Sequence, residues 1–295
     1  MTRPDETFFS VIVPTRGRPE ALGCCLEALA GLDYPRERFE VIVVDDASPE
    51  TLEPVVKPWR ARLPVRLLRQ AHAGPAAARN RGAAVAEGTW LAFLDDDCRP
   101  APGWLRALTA SHAEVSEALG GTTKNALPDN PYSAASHALV MFVCDWLCRE
   151  HSTLGFLPSN NFAVSAERFH RLKGFATDFP QAAAEDRDFC CRWVQLGGRL
   201  RLVPDAVVDH AHPLGPLSFW RQQFNYGRGA RIFHDRRTCG ERIHKQMLPP
   251  AYYVALMAQP WRTLRGWSAL RQCLLLAISQ VANAAGYFFQ GGSVK

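Results

Sequence analysis

The sequence predicts an α/β protein with a mostly parallel central sheet flanked by helices and followed by a helical tail. Three observations predict it. Short apolar runs begin at residues 8, 39, 64 and 89, too short for helices and rich in β-branched or aromatic residues. Ala- and Leu-rich stretches of helical spacing separate them, the order expected of βαβ units. Two of the runs end in clustered acids, Asp45–Asp46 and Asp95–Asp96–Asp97.

The first run, FFSVIVPT (8–15), reads as a buried strand, and PEALGCCLEALAGL (19–32) carries Leu22, Leu26 and Leu29 on one helical face. FEVIVVDDAS (39–48) is the second strand and PVRLLRQ (64–70) the third. The loop AHAGP then leads into the helix AAARNRGAAVAEG (76–88), and TWLAFLDDD (89–97) is the fourth strand. The second half is less regular. Residues 126–157 mix aromatic and apolar side chains behind Pro128 and Pro131. LPSNNFAVSAERF (157–169) reads as a turn, a short strand and a helix start. AEDRDFCCRWVQLGG (184–198) is helical and closed by a Gly pair. RLRLVPDAVVDHAHP (199–213) is one strand or two, interrupted at Pro204.

From Pro216 onward two or three helices are expected, broken near Pro249–Pro250 and Pro260. Residues 221–295 hold eleven Lys/Arg and two Asp/Glu, a balance of +9 within a chain of net charge +5. Leu270, Leu274, Ile278 and Val281 follow helical spacing downstream of Arg262, Arg265 and Arg271. Gln272, Ser279, Gln280, Asn283 and Gln290 interrupt the apolar stretch, which makes a poor spanning helix. A helix lying on an anionic membrane surface fits the pattern, with packing on the body or on a partner chain as the alternative. Nucleic acid is not expected to be the partner.

With 47% hydrophobic and 21% charged residues among 295, the chain is globular, not disordered. Nine scattered cysteines without CxxC or Cys/His zinc spacing point to reduced thiols. The segment MTRPDETFF lacks the apolar core of a signal peptide, so a cytoplasmic location is expected.

Ligands of parallel α/β sheets bind at the carboxyl ends of the strands. Thr15 with Arg16, Asp45 with Asp46, and Asp95 through Asp97 all fall there. Carboxylates cannot bind a nucleoside diphosphate directly but can do so through a hard divalent cation, and Asp97 with its neighbours offers oxygen ligands suited to Mg²⁺ or Mn²⁺. Such a cation would also stabilise charge on a departing diphosphate. Asp46 is placed to accept from a base N–H or a ribose hydroxyl. Arg79 is placed to contact phosphate, a surface salt bridge being the alternative.

The stretches SVIVPTRGRPEAL, VIVVDDAS, GPAAARNRG and WLAFLDDDCRP, followed by SNNFAVSAERF, a GF pair and AEDRDFCCRW, resemble the ordered signature of family 2 glycosyltransferases over residues 8–212. The resemblance implies a GT-A fold (a Rossmann-like nucleotide-sugar-binding sheet) and inverting sugar transfer. It assigns 1–213 to the catalytic domain, with 8–125 as the nucleotide-sugar half and 126–213 as the acceptor half, and leaves 214–295 as the basic helical tail. It implies that Pro14, Thr15 and Arg16 form the nucleotide loop, joined by Gly74 and Arg79 of the next crossover. Asp46 matches the acid facing the base. Asp95 and Asp97 bracket a DxD motif, with Asp97 the direct metal ligand, Asp95 a further ligand and Asp96 near the ribose. Glu185–Asp186 match the acidic pair facing the acceptor, with Asp186 the general base. His210 matches a histidine that completes the metal site, with His212 as the competing choice. Where the family often has Gly-Gly-Phe, this chain has Lys173-Gly174-Phe175.

The expected activity is transfer from a nucleoside-diphosphate sugar, UDP- or dTDP-linked, to a hydroxyl of a cell-surface glycan or lipid-linked acceptor at the inner face of the membrane. Two alternatives stand beside this activity. A nucleotidyltransferase would show an early Gly-rich triphosphate loop, whereas PTRGRPE has a single Gly. A silent glycan-binding scaffold would not need Asp97, Glu185 and Asp186.

Overall fold

The computed structural model describes residues 7–111, 113–150, 155–179, 183–236 and 249–292, without the side chains of 148–150 and 292. In chain order the elements are β1 (Phe9–Thr15), α1 (Pro19–Ala30), β2 (Phe39–Asp46), α2 (Glu53–Val56), β3 (Val65–Gln70), α3 (Pro75–Ala84), β4 (Trp90–Leu94), β5 (Cys98–Pro100), α4 (Trp104–Ala110), β6 (Glu117–Asn125), α5 (Pro131–Glu150), β7 (Asn161–Ser165), α6 (Ala166–Arg171), α7 (Glu185–Gln195), β8 (Arg199–His210), α8 (Pro216–Asp235), α9 (Pro250–Ala258), α10 (Pro260–Thr263) and α11 (Gly266–Gly292).

The strands form one sheet in the order β3-β2-β1-β4-β7-β6-β8-β5. β1 pairs in parallel with β2 and β4, and β2 with β3. β7 runs antiparallel to β4 and to β6, and β5 antiparallel to β8. The α/β class is as expected, and the antiparallel pairs are those that involve β7 or the short β5. β1 and β2 are buried along their whole length, which explains why they read as continuous apolar runs. β8 runs unbroken through Pro204, where two strands were a possibility. Pro204 is exposed, and its carbonyl accepts from the Thr122 hydroxyl at 2.8 Å.

The chain divides into two compact units, each discontinuous in sequence. The first comprises 1–124, 157–177 and 192–211. The second comprises 125–156, 178–191 and 212–295. The core of the first unit includes Val11, Val13, Leu26, Val41, Val43, Leu94, Trp104, Leu105 and Val208. Asn161 ties three strands of that unit. It accepts from Trp104 Nε1 at 2.9 Å and donates to the Ala206 carbonyl at 2.9 Å and the Thr122 carbonyl at 3.3 Å.

In the second unit α8 and α11 cross at two glycines. A Cβ on Gly227 would lie 1.9 Å from the Asn283 carbonyl, and one on Gly286 would lie 1.9 Å from that of Phe224. Bare backbone at both positions sets how close the helices come. Small apolar clusters continue the packing, with Leu139, Tyr252, Leu256 and Leu276 in one and Ala135, Leu214, Phe219 and Leu275 in another. Among the described residues, four helices, one of them the four-residue α10, stand where two or three were expected from Pro216 onward, and the 20-residue α5 lies within a stretch read as less regular.

The expectation of reduced thiols is corrected at one position. Cys191 is disulfide-bonded, whereas Cys24, Cys25, Cys98, Cys144, Cys190 and Cys273 are not in disulfides.

Candidate active site

The first unit carries a cluster of charge at the ends of β1, β2 and β4. In a parallel pair, strand ends that share a register emerge side by side, and here Thr15 is level with Asp45. The Asp95–Asp97 triplet follows β4 directly. Its backbone turns sharply, with Cys98 N donating to the Asp95 carbonyl at 3.1 Å, and passes into the three-residue β5. β5 then pairs with β8 so that Cys98 lies opposite His210, and Ala211 N donates to the Asp97 carbonyl at 2.8 Å. This register brings His210, more than 100 residues downstream, beside the triplet. Its Nε2 is 3.1 Å from Asp97 Oδ1.

Each acid of the triplet has a separate environment. Asp95 takes Arg79 Nη2 at 2.7 Å. Asp96, fully buried, takes Arg18 at 2.5 Å, and Asp97 takes Arg18 Nη1 at 2.9 Å. Burial pushes the Asp96 carboxyl up to about 7, against the opposing pull of Arg18. Burial would lower the His210 imidazole, but its hydrogen bond to Asp97 and the charges of Asp97 and Asp95 raise it overall. Asp97 and His210 belong to a group of side chains with metal-ligand chemistry. One hard oxygen and one imidazole nitrogen suit Mn²⁺ or Mg²⁺. His212 lies two residues past the end of β8, where the second unit begins.

Asp46 organises the loop after β3. Its Oδ1 accepts from Gln70 Nε2 at 2.9 Å and Ala73 N at 2.8 Å, and its Oδ2 from His72 Nδ1 at 2.8 Å and Gly74 N at 2.9 Å. These bonds, opposed by desolvation, hold the Asp46 carboxyl below its ordinary value. Gly74 has φ +87°, in the region that favours glycine, and precedes Pro75 at the start of α3. Arg16 Nη1 lies 3.3 Å from the other His72 nitrogen, so Arg16, His72 and Asp46 form a chain. Arg79, placed for phosphate in the sequence reading, has a buried side chain paired with Asp95 and lying over the Phe175 ring. Pro14 and Thr15 close β1. Asn80 of α3 grips the Lys173-Gly174-Phe175 turn through Nδ2 to the Phe175 carbonyl at 2.8 Å and Oδ1 from Phe175 N at 2.9 Å.

Glu185 and Asp186 open α7 in the second unit. Glu185 is buried, and Asp186 Oδ1 accepts from Arg187 N at 2.7 Å. The residue before them, Ala184, has φ +72°, and the residue after Asp46, Ala47, has φ +60°. Glu185 and Asp46 thus each adjoin a non-glycine residue in the left-handed region, where strain of about 1 kcal/mol is usual. Sequence reasoning placed Arg16 in the nucleotide loop but overlooked Arg18 and His72. Arg18 reaches residues 78 and 79 positions away, a separation that no local pattern reports.

A mixed sheet with acids at its parallel strand ends and a histidine brought to them through the β5–β8 pair is the GT-A architecture. A mannosyltransferase from Pyrobaculum calidifontis, solved with GDP-Man and Mn²⁺, shares the fold, with a TM-score of 0.62 over 98% of this chain and 80% of that one at 22% identity. The sequence matches Glycosyl transferase family 2 over residues 10–167 and Glycosyl transferase family group 2 over 90–289. It is 31% identical over 227 residues to glycosyltransferase AglE of Haloferax volcanii, covering 75% of this chain and 72% of that protein. It is also 31% identical over 217 residues to the pre-mycofactocin glycosyltransferase of Mycobacterium tuberculosis, covering 71% of this chain but 44% of that protein. The chain belongs to glycosyltransferase family 2.

Proposed function

We propose that the chain transfers a sugar from a nucleoside-diphosphate sugar, UDP- or dTDP-linked, to a hydroxyl acceptor with inversion and with a divalent cation bound. The carrying observation is the junction of the acid triplet with His210, since the β5–β8 register holds a carboxylate and an imidazole 3.1 Å apart. Asp97 and His210, with His212 two residues on, supply the donor set for Mn²⁺ or Mg²⁺, and Asp95, next but one to Asp97 in the chain, is a further ligand in this reading. When bound, the cation supplies positive charge to the diphosphate as it leaves. The loop of Pro14, Thr15 and Arg16, with Gly74, lines the nucleotide, and Asp96 takes the ribose. A base N–H reaches Asp46 by replacing His72, a half-exposed partner. Arg79 fixes Asp95. Asp186, with Glu185 beside it, removes the acceptor proton. Attack opposite the leaving group in one step inverts the anomeric carbon.

A second reading concerns α11. Trp267, Leu274, Val281 and Phe288 recur every seventh residue at 60–74% exposure, while Ala269, Leu276, Ser279 and Ala282 are buried. By length and composition α11 is able to cross a membrane, yet part of its apolar surface is buried in protein. The exposed stripe, with Arg262, Arg265 and Arg271 nearby, supports shallow, salt-sensitive attachment at an anionic inner membrane face and a glycan or lipid-linked acceptor there.

Donor hydrolysis tests the main proposal and separates an enzyme from a silent scaffold. EDTA should abolish turnover and Mn²⁺ or Mg²⁺ restore it, with UDP and dTDP inhibiting better than GDP. Asp97→Ala should cost on the order of 10³-fold. Full turnover in EDTA would sink the cation-assisted reading. Failure to sediment with phosphatidylserine vesicles at low salt would sink the membrane reading.

A further inference from the structure

Arg18 stands in the place a cation would take. Its guanidinium bridges two acids of the triplet, Asp96 at 2.5 Å and Asp97 Oδ2 at 2.9 Å, while the other Asp97 oxygen faces His210. The burial is uneven. Arg18 is 44% exposed, against 0% for Asp96 and 4% for Asp97. An exposed arm therefore reaches in over two buried carboxylates. It comes from the end of the 15–18 loop, where Gly17 has φ +64° and its N–H is held by Ser48 Oγ at 2.8 Å. The base of the arm is fixed, and its head retains access to solvent.

Resting on the cation reading above, we infer that Arg18 is the resident counter-charge of the donor-free site. It and a divalent cation exclude each other at Asp97, and the displaced guanidinium moves to the diphosphate oxygens of the donor. The argument is electrostatic. Three adjacent acids, with Asp96 and Asp97 buried, repel one another unless positive charge is near. Arg79 answers Asp95, and Arg18 answers the other two. A divalent cation on Asp97 would replace that compensation and repel the guanidinium, which withdraws cheaply because it is half in water. Tethered by the loop, it remains within a side chain's length of the acids. An arriving diphosphate offers it planar bidentate contacts of the kind guanidinium favours.

The test uses the full chain and two probes, Mn²⁺ alone and UDP at saturating Mn²⁺. Arg18→Met keeps the stem and removes the charge. It should bind Mn²⁺ about tenfold more tightly than wild type, the coupling expected of two competing ligands. UDP should bind the same variant more weakly. These opposite signs separate the proposal from a structural role, which would weaken both. Metal-free Arg18→Met should melt lower than wild type and recover on adding Mn²⁺. If it does not fold without metal, Arg18→Lys serves instead, because a point charge cannot span both carboxylates and should leave Mn²⁺ binding tighter than wild type. Equal or weaker Mn²⁺ binding in both variants, with wild-type binding that depends on Asp97, overturns the role of Arg18. If wild type shows no Asp97-dependent Mn²⁺ binding, the cation reading itself fails.

Discussion

The two units solve the burial of an arginine in different ways. In the sheet unit, Arg79 has a side chain only 3% exposed and gives Nη2 to Asp95 at 2.7 Å. In the helical unit, Arg187 lies 4.5 Å over the Phe233 ring with Nε buried and unbonded. Burial outweighs the help of Asp186 there and pulls its guanidinium down to about 10. Beside it, burial and the Arg187 charge pull His234 down to about 4. Arg79 is neutralised by an opposite charge, whereas Arg187 is packed against a ring. A site assembled from paired charges can exchange one cation for another at small cost. One packed among rings is suited to holding a group in place.

The largest effect expected from breaking this contrast lies at Asp186. Asp186→Asn keeps the shape and removes the proposed proton acceptor, so transfer should fall by roughly 10²–10⁴-fold while UDP affinity persists. Single-turnover transfer with calorimetry of UDP separates the two. Loss of UDP affinity with unchanged transfer per bound donor would make Asp186 a donor-site residue instead.

The next effect is structural. At Gly227 a side chain would meet the Asn283 carbonyl at 1.9 Å, and backbone cannot turn aside as a rotamer can. Gly227→Val should force α8 and α11 apart and lower stability by about 3 kcal/mol, the upper end for overpacking. Gly103→Val, where nothing lies within 4 Å of an added Cβ, should cost far less. Equal melting temperatures for the two variants would mean that the helices can separate freely. For the same reason a chain ending near Pro249, which lacks α11, should lose the α8 packing surface and aggregate.

The contrast also explains how much could be read in advance. The acids at the ends of β2 and β4 were legible because charge at the end of a buried apolar strand has little structural reason to recur. That His210 lies opposite Cys98, beside the triplet, follows from the β5–β8 register, which no local pattern reports because β5 is only three residues long. Pro204 looked like a break, but an exposed residue in β8 tolerates it. The occupation of Asp46 by Gln70, His72, Ala73 and Gly74 was invisible, since its partners lie at the end of a different strand and in the loop after it. Helix α5 was missed because its apolar residues face several neighbours and leave no single stripe. They meet Tyr252 of α9 and Leu276 of α11, elements far along the chain.

The smallest effect concerns pH and the helical unit alone. His234 is lowered by burial first and then by Arg187 and Arg231, while Asp235 opposes them; its Nδ1 lies 3.2 Å from the Tyr287 hydroxyl. A histidine at about 4 in the folded chain and near 6.5 unfolded contributes its full stability above pH 6.5. As pH falls from 6.5 towards 4, the unfolded chain takes up a proton that the folded chain refuses, and stability drops. The ceiling is about 1.4 kcal/mol per pH unit for one proton. Because water reaches part of the ring, the loss by pH 5 should be roughly 1 kcal/mol. Carboxylates elsewhere also respond to acid, so the measurement is a difference. His234→Gln keeps a hydrogen-bonding partner for Tyr287 and cannot titrate, so its stability relative to wild type should improve steadily between pH 7 and 5. Parallel urea-unfolding curves for the two proteins across that range would show that His234 is charged in the fold, and Arg187 would then be less confined than the Phe233 contact implies.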